Sequence, residues 1–306
     1  MNNNFPQINI VLLNWNGFKD TLECLESLKQ IDYPNYKVVL VDNHSSGNDV
    51  EIITKHYGNY ISKLIVTEKN LGFSGGNNVG INYSIASGAE YILLLNNDTT
   101  VEPDFLAKLF DSCKTTEIGI ATPMITYYSD KNKIWSAGGT INKFKASGFT
   151  YGRNKESSSY TKNRYCTFAS GCCLMIRKEV INSVGLLDEN YFLYLEDTDY
   201  CNRVIEAGYK ISYVGESKVY HKVNSTTSKS NALMPLYYSA RNRFYFAKKN
   251  FGLMFYFSFF YLVLAFTIKW IFMYKDKNET ALILIKALKD FLNNDMGQSK
   301  YFSIQR

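Results

Sequence analysis

The first hundred residues constrain the fold more than any other part of the chain, because short apolar runs alternate there with helix-spaced segments. Ile8 to Leu13 is rich in β-branched residues and too brief for a helix, so it reads as a buried strand. From Phe18, apolar residues recur at Leu22, Leu25 and Leu28, which is helical spacing. Tyr33-Pro34-Asn35 breaks the chain, and Val38 to Val41 and Ile61 to Val66 read as further strands. Residues 78–87 have helical character, and Tyr91 to Leu95 is a fourth strand. This alternation predicts an α/β architecture with a mainly parallel central sheet covered by helices on both faces.

In such sheets ligands bind beyond the carboxyl ends of the strands. The residues there are polar: Asn14 after the first strand, Asp42-Asn43 after the second, Asn70 after the third, and Asn96-Asn97-Asp98 after the fourth. Four strands ending in amide- or carboxylate-bearing loops on one rim imply a hydrogen-bonding site for a polar ligand. Further on, residues 118–125 read as a strand, and 134–152, with Gly138-Gly139 and Gly148, as an irregular hairpin. Residues 153–163 form a polar loop, Thr167 to Arg177 a buried strand, and 178–184 a short helix. Asp197 to Ala207 is a helix whose acidic start suits its dipole. Ser225 to Ser230, rich in Ser and Thr, is a candidate lid.

The last part changes character. Phe251 to Ile268 holds eighteen residues without a charge, within the roughly 17–25 of a spanning helix. Its Tyr and Phe content equally suits residence in a membrane interface. Lys248, Lys249, Lys275 and Lys277 flank it and would meet anionic headgroups. Ala281 to Leu292 is amphipathic, with Leu284, Leu288 and Leu292 on one face. Two readings stand: membrane contact, by lying in the interface or crossing it, or a helical hairpin packed on the protein or across a dimer.

Composition narrows the function classes. With 46% hydrophobic and 20% charged residues among 306, a mainly disordered chain is excluded. The net charge of +6 is spread along the chain; it suits an anionic ligand or membrane surface and is too dilute for nucleic acid. The six cysteines form no Cys-x-x-Cys pair and read as reduced core residues. Met-Asn-Asn-Asn-Phe-Pro lacks the basic start and apolar stretch of a signal peptide, so the active part is expected in the cytosol.

Glu196-Asp197-Thr198-Asp199, after the aromatic Tyr191-Phe192-Leu193-Tyr194, is the most informative local feature. Its acids are either first-turn helix residues or, in low-dielectric surroundings, a base with a raised pKa. Asp98 at a strand end is a metal ligand or a turn residue. His221, between a strand and the Ser/Thr loop, is a ligand or a core residue, whereas His44 and His56 lie in polar stretches and read as solvated. Gly72-Phe73-Ser74-Gly75-Gly76 has a phosphate-turn look but is not Gly-x-Gly-x-x-Gly, and no matching acid follows about twenty residues on. No Walker sequence and no Gly-x-Ser-x-Gly occurs.

Taken in order, Asn14-Trp15-Asn16-Gly17, Val41-Asp42-Asn43-His44-Ser45, Asn70 to Asn78, Leu95-Asn96-Asn97-Asp98-Thr99, Gly171, Tyr194 to Asp199 and His221 resemble glycosyltransferase family 2. More narrowly they are similar to its bacterial rhamnosyltransferase-like branch, as is Arg241-Asn242-Arg243; the resemblance spans about residues 8–250. It implies a GT-A fold in residues 1–233, with a nucleotide half to about 125 and an acceptor half to 233, followed by a helical, membrane-associating region over 234–306. It implies an inverting transfer from a nucleotide sugar. Asp42 would contact the nucleobase, with Asn14, Asn70, Gly76 and Asn97 in the same nucleotide site. Asp98, helped by His221, would hold Mg²⁺ or Mn²⁺ on the diphosphate. Asp197 would be the general base, with Glu196 beside it. Arg241 or Arg243 would clamp phosphate or pair with an acid.

The chain departs from the family pattern at one place. Many relatives carry Asp-x-Asp or Asp-Asp at the fourth strand, whereas Asn96 and Asn97 precede a single Asp98 here. An amide accepts ribose hydroxyls less strongly than a carboxylate, which favours a deoxyribose nucleotide and so dTDP-L-rhamnose. The same change removes negative metal ligands. A UDP-hexose or UDP-N-acetylhexosamine donor is the alternative, and a non-catalytic nucleotide-sugar-binding protein the rival from another class. The expected acceptor is a glycan, or a polyprenyl-diphosphate-linked glycan at the inner leaflet, in surface polysaccharide synthesis. The protein would then be peripheral or monotopic at the inner face of the cell membrane, with self-association left open.

Overall fold

The computed structural model describes residues 5–223, 233–273 and 276–302. Its elements run β1 (Ile8–Asn14), α1 (Phe18–Leu28), β2 (Tyr36–Asp42), α2 (Asp49–Tyr57), β3 (Lys63–Val66), α3 (Gly72–Ala86), β4 (Tyr91–Asn96), β5 (Thr99–Val101) and α4 (Phe105–Cys113). There follow β6 (Ile118–Tyr127), β7 (Ile134–Ser136), β8 (Gly139–Asn142), β9 (Ser147–Thr150), β10 (Arg164–Cys166), β11 (Cys173–Arg177), α5 (Lys178–Val184) and α6 (Glu196–Glu206). The long strand β12 (Lys210–His221) leads to α7 (Leu233–Asn250), α8 (Met254–Phe272) and α9 (Lys277–Leu292). The Ser/Thr-rich 225–230, expected as a lid, lies outside the described residues, as does Lys275.

The central sheet has the strand order β10-β12-β6-β11-β4-β1-β2-β3, with β5 added to β12 and β7 to β6. Strands β4, β1, β2 and β3 are parallel, as are β6 and β12. In the middle of the sheet β11 runs antiparallel to both β4 and β6, and β10, β5 and β7 pair antiparallel at its margin. The first residue of β11, Cys173, sits opposite Leu95 at the end of β4. That reversal delivers Gly171 and Cys172 to the rim where Asp98 stands.

The central strands are apolar because both their faces are covered. Ile8, Ile10 and Leu12 of β1 pack into one core with Leu25 and Leu28 of α1 and Leu106 of α4. Val11 points the other way, into a second core with Ile81 of α3 and Val204 of α6. Each such fully buried side chain contributes about 1.5–3 kcal/mol. Helix α3 approaches β1 closely because its contact positions carry no side chain. A Cβ at Gly76 would overlap the Leu13 side chain. Gly76 thus lets α3 pack directly on β1, beside Asn43 of the rim.

Helices α7, α8 and α9 enclose a third core together with the aromatic loop 191–195. The two helices expected at the C-terminus are present, but α9 is rotated from its sequence reading. It buries Thr280, Ile283, Ala287, Asp290 and Phe291, while Leu292 is exposed and Leu284 and Leu288 are half-buried. The reason is polar: Asp290 turns inward to accept from the Tyr237 hydroxyl of α7. All six cysteines are buried free thiols, as expected.

Candidate active site

Topology joins Asp98 to His221. Strand β5 pairs with the end of β12 so that Thr99 lies opposite His221. The Lys222 amide donates to the Asp98 carbonyl at 3.0 Å, and Asp98 Oδ1 stands 3.2 Å from His221 Nε2. The Trp135 ring meets the imidazole edge-on at 4.6 Å, and the Cys172 side chain lies against it. Burial alone would lower the imidazole pKa, but Cys172 and the Asp98 carboxylate outweigh it and raise it to about 10. Without a cation the pair is an imidazolium beside a carboxylate; with its Nε2 proton displaced, one carboxylate oxygen and one imidazole nitrogen side by side fit a hard to borderline divalent cation. No group of three His, Cys, Asp or Glu ligands occurs among the described residues. Two protein donors thus leave coordination positions for oxygens of a bound substrate and for water.

Asp197 is tied to the same loop. The Gly171 amide donates to its Oδ2 at 3.0 Å, while Thr198 donates to its Oδ1 through its amide at 2.6 Å and its hydroxyl at 3.2 Å. Gly171 holds Asp197, and its neighbour Cys172 touches the histidine that pairs with Asp98. The two acids therefore flank one dipeptide on one rim. Asp197 lines a cavity of about 400 Å³ bounded by Ser147, Gly148, Phe168, Tyr194, Thr198, Pro235 and Ser239.

The three carboxylates at the start of α6 have different environments. Asp199 is fully buried and neutralised by Arg203 at 2.8 Å and Lys249 at 3.0 Å. Asp197 has no cationic partner among the described residues, and burial raises its pKa against the opposing hydrogen bonds from Gly171 and Thr198. Glu196 is also raised, first by burial and then by the Asp197 charge. Its Oε2 has no hydrogen-bond partner among the described residues.

The backbone carrying these acids is strained. Phe192, Tyr194 and Leu195 have φ of 56°, 67° and 73°, each costing about 1–3 kcal/mol for a side-chain-bearing residue. Two features hold the loop. The amide of Asn242, fully buried in α7, donates to the carbonyls of Tyr191, Leu193 and Tyr194, each at 2.9 Å. From the other side, the Phe73 amide donates to the Phe192 carbonyl at 2.6 Å. That approach needs Gly72, at φ 72°, because a Cβ there would overlap the Phe192 carbonyl oxygen. The glycine-rich turn docks the aromatic loop. In the sequence Asn242 stands within the Arg241-Asn242-Arg243 motif with no role of its own; an amide amid the aromatic residues of α7 is the available signal.

The nucleotide-side residues separate into two groups. Asn14 is fully buried and Asp42 is 1% exposed. Asn14 Nδ2 donates to Asp42 Oδ2 at 2.7 Å and Asp49 Oδ2 at 3.0 Å, and Ser45 donates to both Asp42 oxygens. These side chains brace the loops that carry the rim. Asn97 joins the same brace through Thr21 Oγ1 at 2.8 Å. Asn70 faces a cavity of about 140 Å³, together with Trp15, Asn43, Phe73, Leu193 and Met234. In the sequence Trp15 appears only within the Asn14-Trp15-Asn16-Gly17 motif, and Met234 has no signal of its own.

Arg241 requires a correction. It is 1% exposed, lies over the rings of Tyr237 and Tyr238, and donates to the carbonyls of Asp295 and Gly297 at 3.4 and 2.7 Å. It clamps the C-terminal segment onto α7 and is not placed to hold phosphate. Arg243, two residues on, is half-buried.

Comparison with known proteins agrees with this geometry. The family model described as Glycosyl transferase family 2 matches residues 9–185. The chain is 27% identical over 263 residues to the dTDP-rhamnosyl transferase RfbF of Shigella flexneri, covering 82% of each. It is 27% identical to an N-acetylglucosaminyl-diphospho-decaprenol L-rhamnosyltransferase of Mycobacterium tuberculosis, covering 62% of this chain and 67% of that one. Among solved structures it superposes on GalNAc-T7 with UDP, GalNAc and Mn²⁺ at a TM-score of 0.63 and 16% identity, over 78% of this chain and 48% of that larger one. The mannosyltransferase PcManGT of Pyrobaculum calidifontis, with GDP-Man and Mn²⁺, gives 0.60 at 13% identity, over 95% and 88%. At such identities the shared property is the fold, and that fold is GT-A.

Proposed function

Because the chain belongs to glycosyl transferase family 2, we propose that this glycosyltransferase moves L-rhamnose from dTDP-L-rhamnose to a lipid-linked glycan in surface polysaccharide synthesis, with inversion. The observation that carries this reading is the Asp98–His221 pair and Asp197 on either side of Gly171-Cys172. The rhamnosyltransferase names of the relatives support the donor, and a decaprenyl-linked substrate in one name supports the acceptor class. In this reading residues 1–233 form the catalytic unit and 234–306 the membrane-associating region, on the cytoplasmic side.

Asp197 stands at the acceptor side and takes the proton of the attacking hydroxyl as the new C1–O bond forms. The old C1–O bond breaks on the opposite face, and the nucleoside diphosphate leaves with the electron pair. Glu196 shares this buried site, and burial together with the neighbouring Asp197 charge disfavours two negative charges there. Asp98 and His221 would hold Mg²⁺ or Mn²⁺ on the diphosphate, where a divalent cation supplies Lewis-acid stabilisation of the leaving group. Bound Mn²⁺ in the two fold relatives supports the cation. Asn70 and Trp15 face the space offered to the nucleoside.

Donor screening tests the assignment. Turnover with dTDP-L-rhamnose is expected to exceed that with UDP-glucose or UDP-N-acetylglucosamine at least tenfold, and chelation by EDTA to abolish it. The UDP-GlcNAc complex of the similar TarS structure makes the UDP donor the specific competitor. Faster turnover with either UDP sugar would overturn the rhamnose assignment.

A further inference from the structure

Helix α8 has the length and apolarity to cross a membrane, yet it is fastened to the protein along one side. Ser258, Leu262 and Phe266, one stripe at four-residue spacing, are its buried residues. Its outer side presents Tyr256, Phe257, Phe260, Leu264 and Phe272, all 60–80% exposed. Helix α9 runs back alongside: the Trp270 indole donates to the Lys277 carbonyl at 2.8 Å, and Phe291 and Leu292 share a groove with Phe255 and Tyr256. It adds exposed Ile285 and Leu292 to the same region.

A distant element joins this face. The turn between β8 and β9 is Lys143-Phe144-Lys145-Ala146, with Phe144 53% exposed. Ser258 Oγ donates to the Lys143 carbonyl at 2.8 Å, and the Lys143 ammonium lies 5.9 Å over the Phe251 ring. The hairpin tip is thereby stapled to the root of α8. Its strand β9 contributes Ser147 and Gly148 to the cavity that holds Asp197.

From this we propose that the hairpin tip and the outer faces of α8 and α9 form one docking surface for an anionic lipid bilayer, with α8 lying flat in the interface and not crossing it. The inference rests on the lipid-linked acceptor reading and deepens it. Charge selects the occupant: the elements that carry the apolar surface hold Lys143, Lys145, Lys248, Lys269, Lys277, Lys286 and Lys289, against the exposed acids Asp276 and Glu279. Such a surface opposes positive to positive if two copies meet, and complements anionic headgroups. Aromatic side chains with flanking lysines are the composition of an interfacial helix. Crossing would strip Ser258, Leu262 and Phe266 from their contacts and draw Lys269 towards the hydrocarbon. Docking by the tip brings the Asp197 cavity to headgroup level, where a lipid-linked hydroxyl arrives.

The test uses the full chain, vesicles of phosphatidylglycerol and phosphatidylcholine, and flotation. Wild type is expected to bind in proportion to the anionic fraction and to be released by alkaline carbonate. The triple variants Lys143→Glu/Phe144→Ser/Lys145→Glu and Tyr256→Ser/Phe257→Ser/Phe260→Ser are each expected to bind at least tenfold more weakly. Both should retain transfer to a short-chain acceptor in detergent, which also shows that they fold. Undiminished binding by the hairpin variant, or carbonate-resistant wild type, would overturn the proposal. So would a wild-type dimer that ignores vesicles and dissociates in the α8 variant. The detergent assay separates the two readings: a wild type without transfer refutes the enzymatic assignment, while flotation alone decides docking.

Discussion

Replacing Asp197 by Asn is expected to lower kcat for sugar transfer by about 10²–10⁴-fold, the range for loss of a positioned general base. The substitution is nearly isosteric and leaves a carbonyl oxygen to accept from Gly171 or Thr198, so the fold should persist. The amide cannot take the proton that the acceptor hydroxyl loses. Sign follows from linkage. The folded-state pKa of Asp197 is raised by burial, so between the ordinary aspartate value and the raised one the folded protein binds more protons than the unfolded chain. Its contribution therefore reduces stability as pH rises through that window, and a neutral Asn removes this cost. The same shift places the acid limb of the wild-type kcat/KM profile above the ordinary carboxylate range. Rate measurements across pH, with circular dichroism of both proteins, check this. A variant with near wild-type kcat would remove Asp197 from the chemistry.

The second large effect is expected at Asn242. Its amide holds three carbonyls of a loop with three left-handed residues. Removing it in Asn242→Ala takes away two N–H donors shared among three carbonyls, at about 1 kcal/mol per donor or roughly 2 kcal/mol in all, and deprives the Leu193 and Tyr194 carbonyls of this partner. The urea midpoint should fall, and kcat with it, because Glu196 and Asp197 follow directly on the released loop. Asn242→Asp is the sharper variant: it keeps the size but offers only acceptors to three carbonyl oxygens. It should do no better than Ala. Rescue by Asp would show that Asn242 merely fills space.

The strands and their polar ends were legible in the sequence, because a strand buried on both faces must read as an unbroken apolar run. Helices α2 and α4 escaped, being short and lying between segments read as strands or turns. The pairing of Asp98 with His221 has no local signal; it arises from β5 closing on β12, a tertiary event. The motif Gly72 to Gly76 was legible as unusual but not as a docking surface for the 191–195 loop. Asn14 and Asp42 stand at the strand ends where the sequence puts them, yet spacing could not show the bracing bonds that tie them to Asp49 and Ser45. Arg241 shows the same limit: a guanidinium reads alike whether it meets phosphate or two backbone carbonyls.

The central claim is that Asp98 and Asp197 serve opposite sides of one reacting sugar. Calorimetric titration of dTDP, with and without Mn²⁺, into wild type, Asp98→Ala and Asp197→Asn measures this division of labour most directly. Wild type is expected to bind dTDP more tightly with Mn²⁺, Asp98→Ala to lose that dependence with at least tenfold weaker binding, and Asp197→Asn to match wild type. Mn²⁺-dependent binding that survives in Asp98→Ala, or that disappears in Asp197→Asn, would contradict the account.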